Sequence, residues 1–269
     1  MPSIELLASN FRRLDQLALA DTVIHRLDPR AKVVVVLAFV VTVASFERYA
    51  VSALMPLFVF PIVLAALGKL PTGYLAKNVA LAIPFALMIG LFNPLFDREL
   101  MFQLGALSLS GGWISCASIV LRALLTLSAA LILLAVTGFS GVCGALEGLG
   151  LPRVLVMQLQ LVYRYIFVLL DDGARSARAL TLRSSGKRPR LRTVASLIGL
   201  LLLRSWQRAD QVYTAMLARA YSGEVHSRKT SRFGTRELLF VVGWLAAFCV
   251  LRWYDVAQLL GLLVAQGFS

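Results

Sequence analysis

Residues 113–139 read WISCASIVLRALLTLSAALILLAVTGF, a run in which Arg122 is the one charged side chain. A helix needs about 20 predominantly apolar residues to cross a hydrocarbon core of about 30 Å, and this run exceeds that. Working outward, similar runs lie on both sides. Upstream, Ala31 to Phe46 is almost unbroken and ends at Glu47-Arg48. Tyr49 to Leu67 follows with Pro56 and Pro61 inside it, then Val79 to Phe96 with Pro84 and Asn93-Pro94. Downstream, a fifth run begins near Leu238 and reaches at least Val250. Prolines are no obstacle, because neighbouring helices and water satisfy the freed carbonyls. The first two runs are short and read as a tight hairpin. Arg252, Trp253, Tyr254 and Asp255 place aromatic rings beside charge, as at an interfacial belt; one tilted helix is the reading, a short surface segment the alternative.

Composition agrees with these spans. The 269 residues are 59% hydrophobic and 15% charged, with a mean hydropathy of +0.78. Soluble domains average about 45–50% apolar and about 25% charged residues. Water on all sides is therefore excluded, and so is disorder, which requires few apolar residues. The net charge of +13 suits either a nucleic-acid binder or a membrane protein with basic residues on one side. The apolar content selects the membrane, so the lipid bilayer is an expected partner and nucleic acid is not. Cys116, Cys143 and Cys249 are far apart and odd in number, which gives neither a disulfide framework nor a zinc site. They read as buried thiols. Met1 to Lys32 has no apolar segment with a small-residue cleavage site, so a secretory signal is not expected.

The basic residues are concentrated. Residues 139–235 hold fifteen Lys and Arg against five Asp and Glu, ten of the thirteen net charges. Excess Lys and Arg near span ends marks the cytoplasmic side. The N-terminus and this stretch are thus expected in the cytoplasm, and with five spans the C-terminus lies outside. The fold class is all-α: a polytopic membrane protein of about five transmembrane helices with long cytoplasmic helices. Its parts are a cytoplasmic N-terminal segment 1–30, four spans within 31–139, the basic region 140–235, and a last span with its tail, 236–269.

A structureless connection of that length is improbable in a compact protein, and this one has helical patterning. From Leu151-Pro152 an apolar half leads to a polar half ending near Arg183, with Gly186 as the stop. After Lys187-Arg188-Pro189-Arg190, Val194 to Leu203 is apolar and Arg204 to Tyr221 amphipathic, with Gly223 as terminator. A short helix around Gly144 to Gly150 precedes both. The two ends are alike: Ala179-Leu180-Thr181-Leu182-Arg183-Ser184-Ser185-Gly186, and Ala215-Met216-Leu217-Ala218-Arg219-Ala220-Tyr221-Ser222-Gly223. In each an Ala lies four residues before an Arg, on the same face. One such Arg merely complements a helix dipole, an effect of about 0.3–1 kcal/mol. Two on consecutive helices read as a paired docking device, since the planar guanidinium forms bidentate bonds with acidic or carbonyl groups.

On these residues the chain resembles the transmembrane T component of energy-coupling factor (ECF) transporters. That family carries two short Ala-Arg-Gly-type motifs at the ends of cytoplasmic coupling helices. Leu182-Arg183-Ser184 and Ala218-Arg219-Ala220 stand at those positions; Ser184 and Ala220 replace the Gly that often follows the Arg. Asp28-Pro29-Arg30-Ala31-Lys32, Tyr163-Arg164-Tyr165-Ile166 and Arg204-Ser205-Trp206-Gln207-Arg208-Ala209 match as well. His25-Arg26-Leu27-Asp28-Pro29-Arg30 and the stretch Ala215 to Glu224 are similar to the cobalt/nickel branch, the CbiQ type. The resemblance implies that Arg183 and Arg219 couple to a dimer of ABC-type ATPases, and that Asp28, Pro29, Arg30, Lys32, Gly186 and Gly223 are structural. It also implies a metal-binding S component with a small companion, cobalt or nickel as cargo, and a prokaryotic plasma-membrane location.

The residues themselves suggest no catalysis. A Walker-type Gly-x-x-x-x-Gly-Lys-Ser/Thr is missing, so ATP is expected on partner subunits and no cofactor on this chain. His25 and His226 are far apart and read as surface residues, leaving no metal site. Ion pathways announce themselves by ionisable residues facing the bundle interior, and the spans lack His, paired carboxylates and Met clusters. A stand-alone permease or channel is the rival reading, distinguished by conduction without an ATPase. An intramembrane enzyme lacks its Ser, His or carboxylate set. Basic side chains of 139–235 can also bind anionic lipid, at about 1 kcal/mol each.

Overall fold

The computed structural model describes residues 15–47, 51–92, 100–104, 107–184, 190–221 and 234–253. Its helices are α1 (Pro29–Ser45), α2 (Val51–Leu67), α3 (Thr72–Gly90), α4 (Gly111–Gly148), α5 (Arg153–Arg183), α6 (Leu191–Leu217) and α7 (Thr235–Trp253). A small antiparallel hairpin, β1 (Leu100–Leu104) with β2 (Leu107–Ser110), precedes α4 and pairs Leu104 with Leu107. The sequence reading assigned no structure there. The chain divides into two compact units: Leu17–Gly138 with Ser231–Ser269, and Met1–Gln16 with Phe139–Thr230.

In the first unit, α1 begins where Asp28 Oδ1 accepts a hydrogen bond of 2.8 Å from the Arg30 amide, with Pro29 at the first helical position. Both are favoured there, because the first amides have no partner within the helix and proline lacks one to leave unsatisfied. Beyond Lys32, helix α1 is apolar on nearly every face, and it buries Val35, Phe39 and Val43 completely. Phe39 stacks on Phe60 of α2 at 4.5 Å, and both rings meet Phe248 of α7 at 5.5 and 5.2 Å. Trp244 meets Phe60 edge-on at 4.8 Å. Offset and edge-to-face pairs of this kind add about 0.5–1.5 kcal/mol each beyond burial. The first two spans therefore touch, but the more extensive partner of α1 is α7, not α2 as a tight hairpin would require.

The far end of α1 explains the lone charge of the longest apolar run. Arg122 of α4 donates to the carbonyl oxygens of Phe46 (2.9 Å) and Glu47. Arg252 of α7 donates to the Ser45 carbonyl at 3.1 Å and lies 5.0 Å over the Phe46 ring. Terminal carbonyls of a helix lack internal partners, and two arginines from two other helices supply them. Arg252 thus belongs to a continuous α7 that runs to Trp253; Tyr254 and Asp255 fall outside the described residues.

Boundaries differ from the sequence reading at three places. Span three is Thr72–Gly90, not Val79 to Phe96, because its polar first turn (Thr72, Gly73, Tyr74) adds nothing to an apolar count. It bends at Leu81-Ala82, just before Pro84. Helix α4 continues past the expected end at Phe139 but breaks at Gly138 (φ 70°, ψ 157°), where the chain passes from one unit to the other. The segment after the break contains the short helix expected near Gly144. Helix α6 ends at Leu217, short of Gly223. Helices α3, α4 and α5 are each long and apolar enough to cross a membrane, by length and composition. Helix α5 is among them although the sequence reading placed it in the cytoplasm.

Candidate functional site

The second unit is built on α5 and α6, whose surfaces are open. Val156 is the buried residue of α5, and α6 has none. Pro152 caps the start of α5 with an extended ψ of 132°, and Arg190 starts α6 in the same way. Near the base of α5, Tyr163 stacks on Phe139 at 4.2 Å and meets Phe167 edge-on at 5.1 Å. Its hydroxyl donates to Asp15 at 2.8 Å, tying the first described residue to the helix. Tyr163 is thus a structural anchor within the matching Tyr163-Arg164-Tyr165-Ile166 stretch.

The paired arginines sit at two different helix ends. Arg183 is the last residue of α5; Ser184 follows with φ −90° and donates its amide to the Leu180 carbonyl at 2.9 Å. Leu182 is 82% exposed and Arg183 is exposed too. Arg219 lies just beyond α6 in a tighter turn. There the Tyr221 amide reaches the Met216 carbonyl at 3.1 Å and the Ala220 amide the Leu217 carbonyl at 3.0 Å. This crossed pair is the Schellman closure, which places one residue in the left-handed region. That residue is Ala220, at φ 59°. The conformation explains physically why a glycine would suit this position: it has no Cβ to clash, whereas an L-residue there costs about 1–2 kcal/mol. Tyr221 folds back so that its hydroxyl contacts Met157 Sδ of α5 at 2.8 Å.

Ala218, Arg219 and Ala220 are all exposed, so small side chains flank an exposed guanidinium. Among the described residues neither Arg183 nor Arg219 makes an ion pair. Gly186 and Gly223, the expected stops, lie outside the described residues. Residues 20–231 match the family described as CbiQ, cobalt transport protein. The chain belongs to that family. It is an ECF-transporter T component of the CbiQ type, a membrane subunit of a transporter.

Individual relatives agree with the assignment. The energy-coupling factor transporter transmembrane protein EcfT of Streptococcus thermophilus is 27% identical over 86% of this chain and 94% of its own. EcfT of Bacillus subtilis is 28% identical over 75% and 82%. The cobalt transport protein CbiQ of Salmonella typhimurium is 33% identical over 54% of this chain and 71% of its own.

The remaining motif of this CbiQ-family chain lies in the first unit and is structural in form. Asp28 is 2% exposed and Lys32, one turn later, 5%. Lys32 Nζ donates to the His25 carbonyl at 3.4 Å. His25 is itself fixed, its Nε2 on the Leu17 carbonyl at 3.1 Å and its Nδ1 beside the Thr22 hydroxyl at 2.6 Å. Burial pushes the His25 pKa below the ordinary imidazole value, against the opposing pull of the Leu17 and Ala135 carbonyls. His25 is therefore a packed member of the entry turn rather than the surface residue expected; its bonding to nearby backbone is invisible in a string of letters. Arg26 faces out and holds Asp21 through two hydrogen bonds of 2.7 Å. Among the described residues no three His, Cys, Asp or Glu side chains gather as a metal site. Of the cysteines, Cys116 and Cys143 are buried but Cys249 is exposed, because α7 presents that face outward.

Proposed function

We propose that this chain is the coupling subunit of a prokaryotic cobalt importer, with nickel as the alternative cargo. In this reading it lies in the plasma membrane as a multi-pass protein with its N-terminus in the cytoplasm. ATP is bound and hydrolysed on a dimer of ABC-type ATPases, not on this chain. Arg183 and Arg219 enter grooves on the two ATPases, with Leu182, Ser184, Ala218 and Ala220 forming the small shoulders around each guanidinium. Closure of the ATPase dimer displaces the arginines and, through them, α5 and α6. The apolar first halves of those helices carry the metal-binding S component and its companion, which tilts and releases the ion inward.

The observation that carries this reading is the exposure of two arginines without an ion-pair partner among the described residues, one at the C-terminal end of each of two long helices that bury almost nothing of themselves. A guanidinium is always charged and suits carboxylate or carbonyl partners in a fixed fork geometry. The combined change Arg183→Glu plus Arg219→Glu is expected to abolish co-purification with the ATPase and metal uptake while leaving membrane insertion intact. Unchanged co-purification would overturn the docking role. Uptake by the intact complex, with cobalt(II) and nickel(II) compared at equal concentration, decides the cargo.

A further inference from the structure

The contacts joining α5 to α6 run in opposite order along the two helices. Going up α5, Met157 meets Tyr221, Asp172 meets Arg208, and Gly173 faces Leu201, so the helices are antiparallel. Asp172 divides its carboxylate between them. Oδ1 accepts from Arg175 on its own helix, and Oδ2 pairs with Arg208 Nη1 of α6 at 3.4 Å. Eleven residues separate Asp172 from Arg183, and eleven separate Arg208 from Arg219. At about 1.5 Å per residue, each arginine stands roughly 16 Å from the ion pair. Because the helices are antiparallel, the two lie in opposite directions. Eleven residues also complete about three turns, so each arm returns to nearly the same side of its helix.

We infer that the Asp172–Arg208 ion pair is the fulcrum of the two coupling helices, a positioning pair about which the arms bearing Arg183 and Arg219 pivot together. The inference rests on the docking role proposed above and adds the means by which the two arms move as one. Packing beside the pair permits such motion. A groove of about 390 Å³ separates the helices on the Arg219 side, walled by Leu161, Tyr165 and Leu169 against Val212, Tyr213 and Met216. On the other side Gly173 opposes Leu201 without a side chain of its own. Close-packed interfaces resist sliding and rotation. Here an ion pair flanked by a gap and a glycine holds the crossing point while leaving the angle free. Asp172 keeps 17% of its side chain exposed and Arg208 keeps 42%, so the pair is shielded without being sealed.

The test uses the complete transporter in proteoliposomes, with cobalt(II) as the probe. Three quantities are read: ATPase co-purification, ATP hydrolysis, and metal transported per ATP hydrolysed. For Asp172→Asn, co-purification is expected to stay within about twofold of the parent while metal per ATP falls at least fivefold. Asp172→Arg combined with Arg208→Asp is expected to recover at least half of the lost coupling, which a purely steric role would not produce. An unchanged metal-to-ATP ratio in Asp172→Asn would overturn the fulcrum. So would lost co-purification in that variant, or failure of the exchanged pair in a complex that still assembles. Failure of the docking reading looks different: the Arg183→Glu, Arg219→Glu complex would then retain its ATPase.

Discussion

Apolar side chains behave in opposite ways in the two units. In the unit of α1, α2 and α7, apolar side chains face one another, and Phe39 and Phe60 are at most 1% exposed. In the unit of α5 and α6, Val162, Leu202 and Trp206 are 63%, 69% and 70% exposed. The α1–α2–α7 cluster is thus held by its own core, while α5 and α6, like the outer face of α3 at Leu81 and Phe85, present apolar surface that lipid or another subunit must cover. Large exposed apolar faces mark interaction surfaces. The coupling role proposed above would use both kinds: a body that stays folded and a pair of arms whose packing is completed by what they move.

The comparison breaks most sharply at Phe60, which stacks on Phe39 and meets Trp244 and Phe248. Phe60→Ala is expected to destabilise the protein by about 3–5 kcal/mol, the range for emptying a buried aromatic site. Leu202→Ala, the same truncation on the open unit, is expected to stay within about 0.5 kcal/mol. Thermal unfolding of the purified chain in detergent reads both. A comparable loss from the two would mean that α6 is buried in the isolated chain.

Next in size is the close approach of α3 to α4. A Cβ built on Gly90 would stand 2.7 Å from Cys116 Sγ, nearer than such atoms come. Gly90→Ala is expected to cost about 1–3 kcal/mol through forced separation of the helices, and Gly90→Ala with Cys116→Ala to recover most of it. The double variant keeps the result interpretable in terms of contact rather than helix propensity, which favours alanine. The same detergent measurement, made on both variants, decides.

How much of this was legible in the sequence depends on the kind of interaction. The apolar runs exposed the helices because hydrophobic length is local, and Arg183 and Arg219 stood out because their surroundings repeat. The β1–β2 hairpin did not, because its strands are only five and four residues long, so the alternation of Leu107-Ser108-Leu109-Ser110 is too short to stand out beside the apolar runs. The end of α6 was misplaced at Gly223 because alanine is the best helix former, and nothing local announces that Ala220 turns left-handed. Arg122 read only as the one charge within its run, and its partners, the carbonyls of Phe46 and Glu47, lie just past the end of α1. Asp172 and Arg208 likewise became a pair only through tertiary structure.

The left-handed residue gives a smaller, opposite effect on the open unit. Ala220→Gly is expected to stabilise the end of α6 by about 0.5–1 kcal/mol, since relief of the Cβ clash outweighs the greater freedom glycine has when unfolded. Slower hydrogen exchange of the Ala218, Arg219 and Tyr221 amides would register it. Faster exchange would mean that the Schellman turn is not what holds Arg219 in place.

The smallest effect is a pH dependence confined to the entry turn of the core unit. Burial holds the folded-state pKa of His25 below its unfolded value of about 6.5. The folded protein therefore binds fewer protons at this site than the unfolded chain, and stability rises with pH across the interval between the two values. The contribution is complete above about pH 6.5 and is lost as pH falls through the folded pKa. Thr22 and the Leu17 carbonyl can satisfy the neutral ring on both nitrogens, whereas Lys32 adds a like charge against the protonated one. Unfolding midpoints of the parent and His25→Gln, taken at half-unit steps from pH 7.5 to 5, should diverge on the acid side in favour of the variant. Parallel curves would show that the ring is solvated in both states, and that the core unit closes less tightly around its first turn than around its aromatic centre.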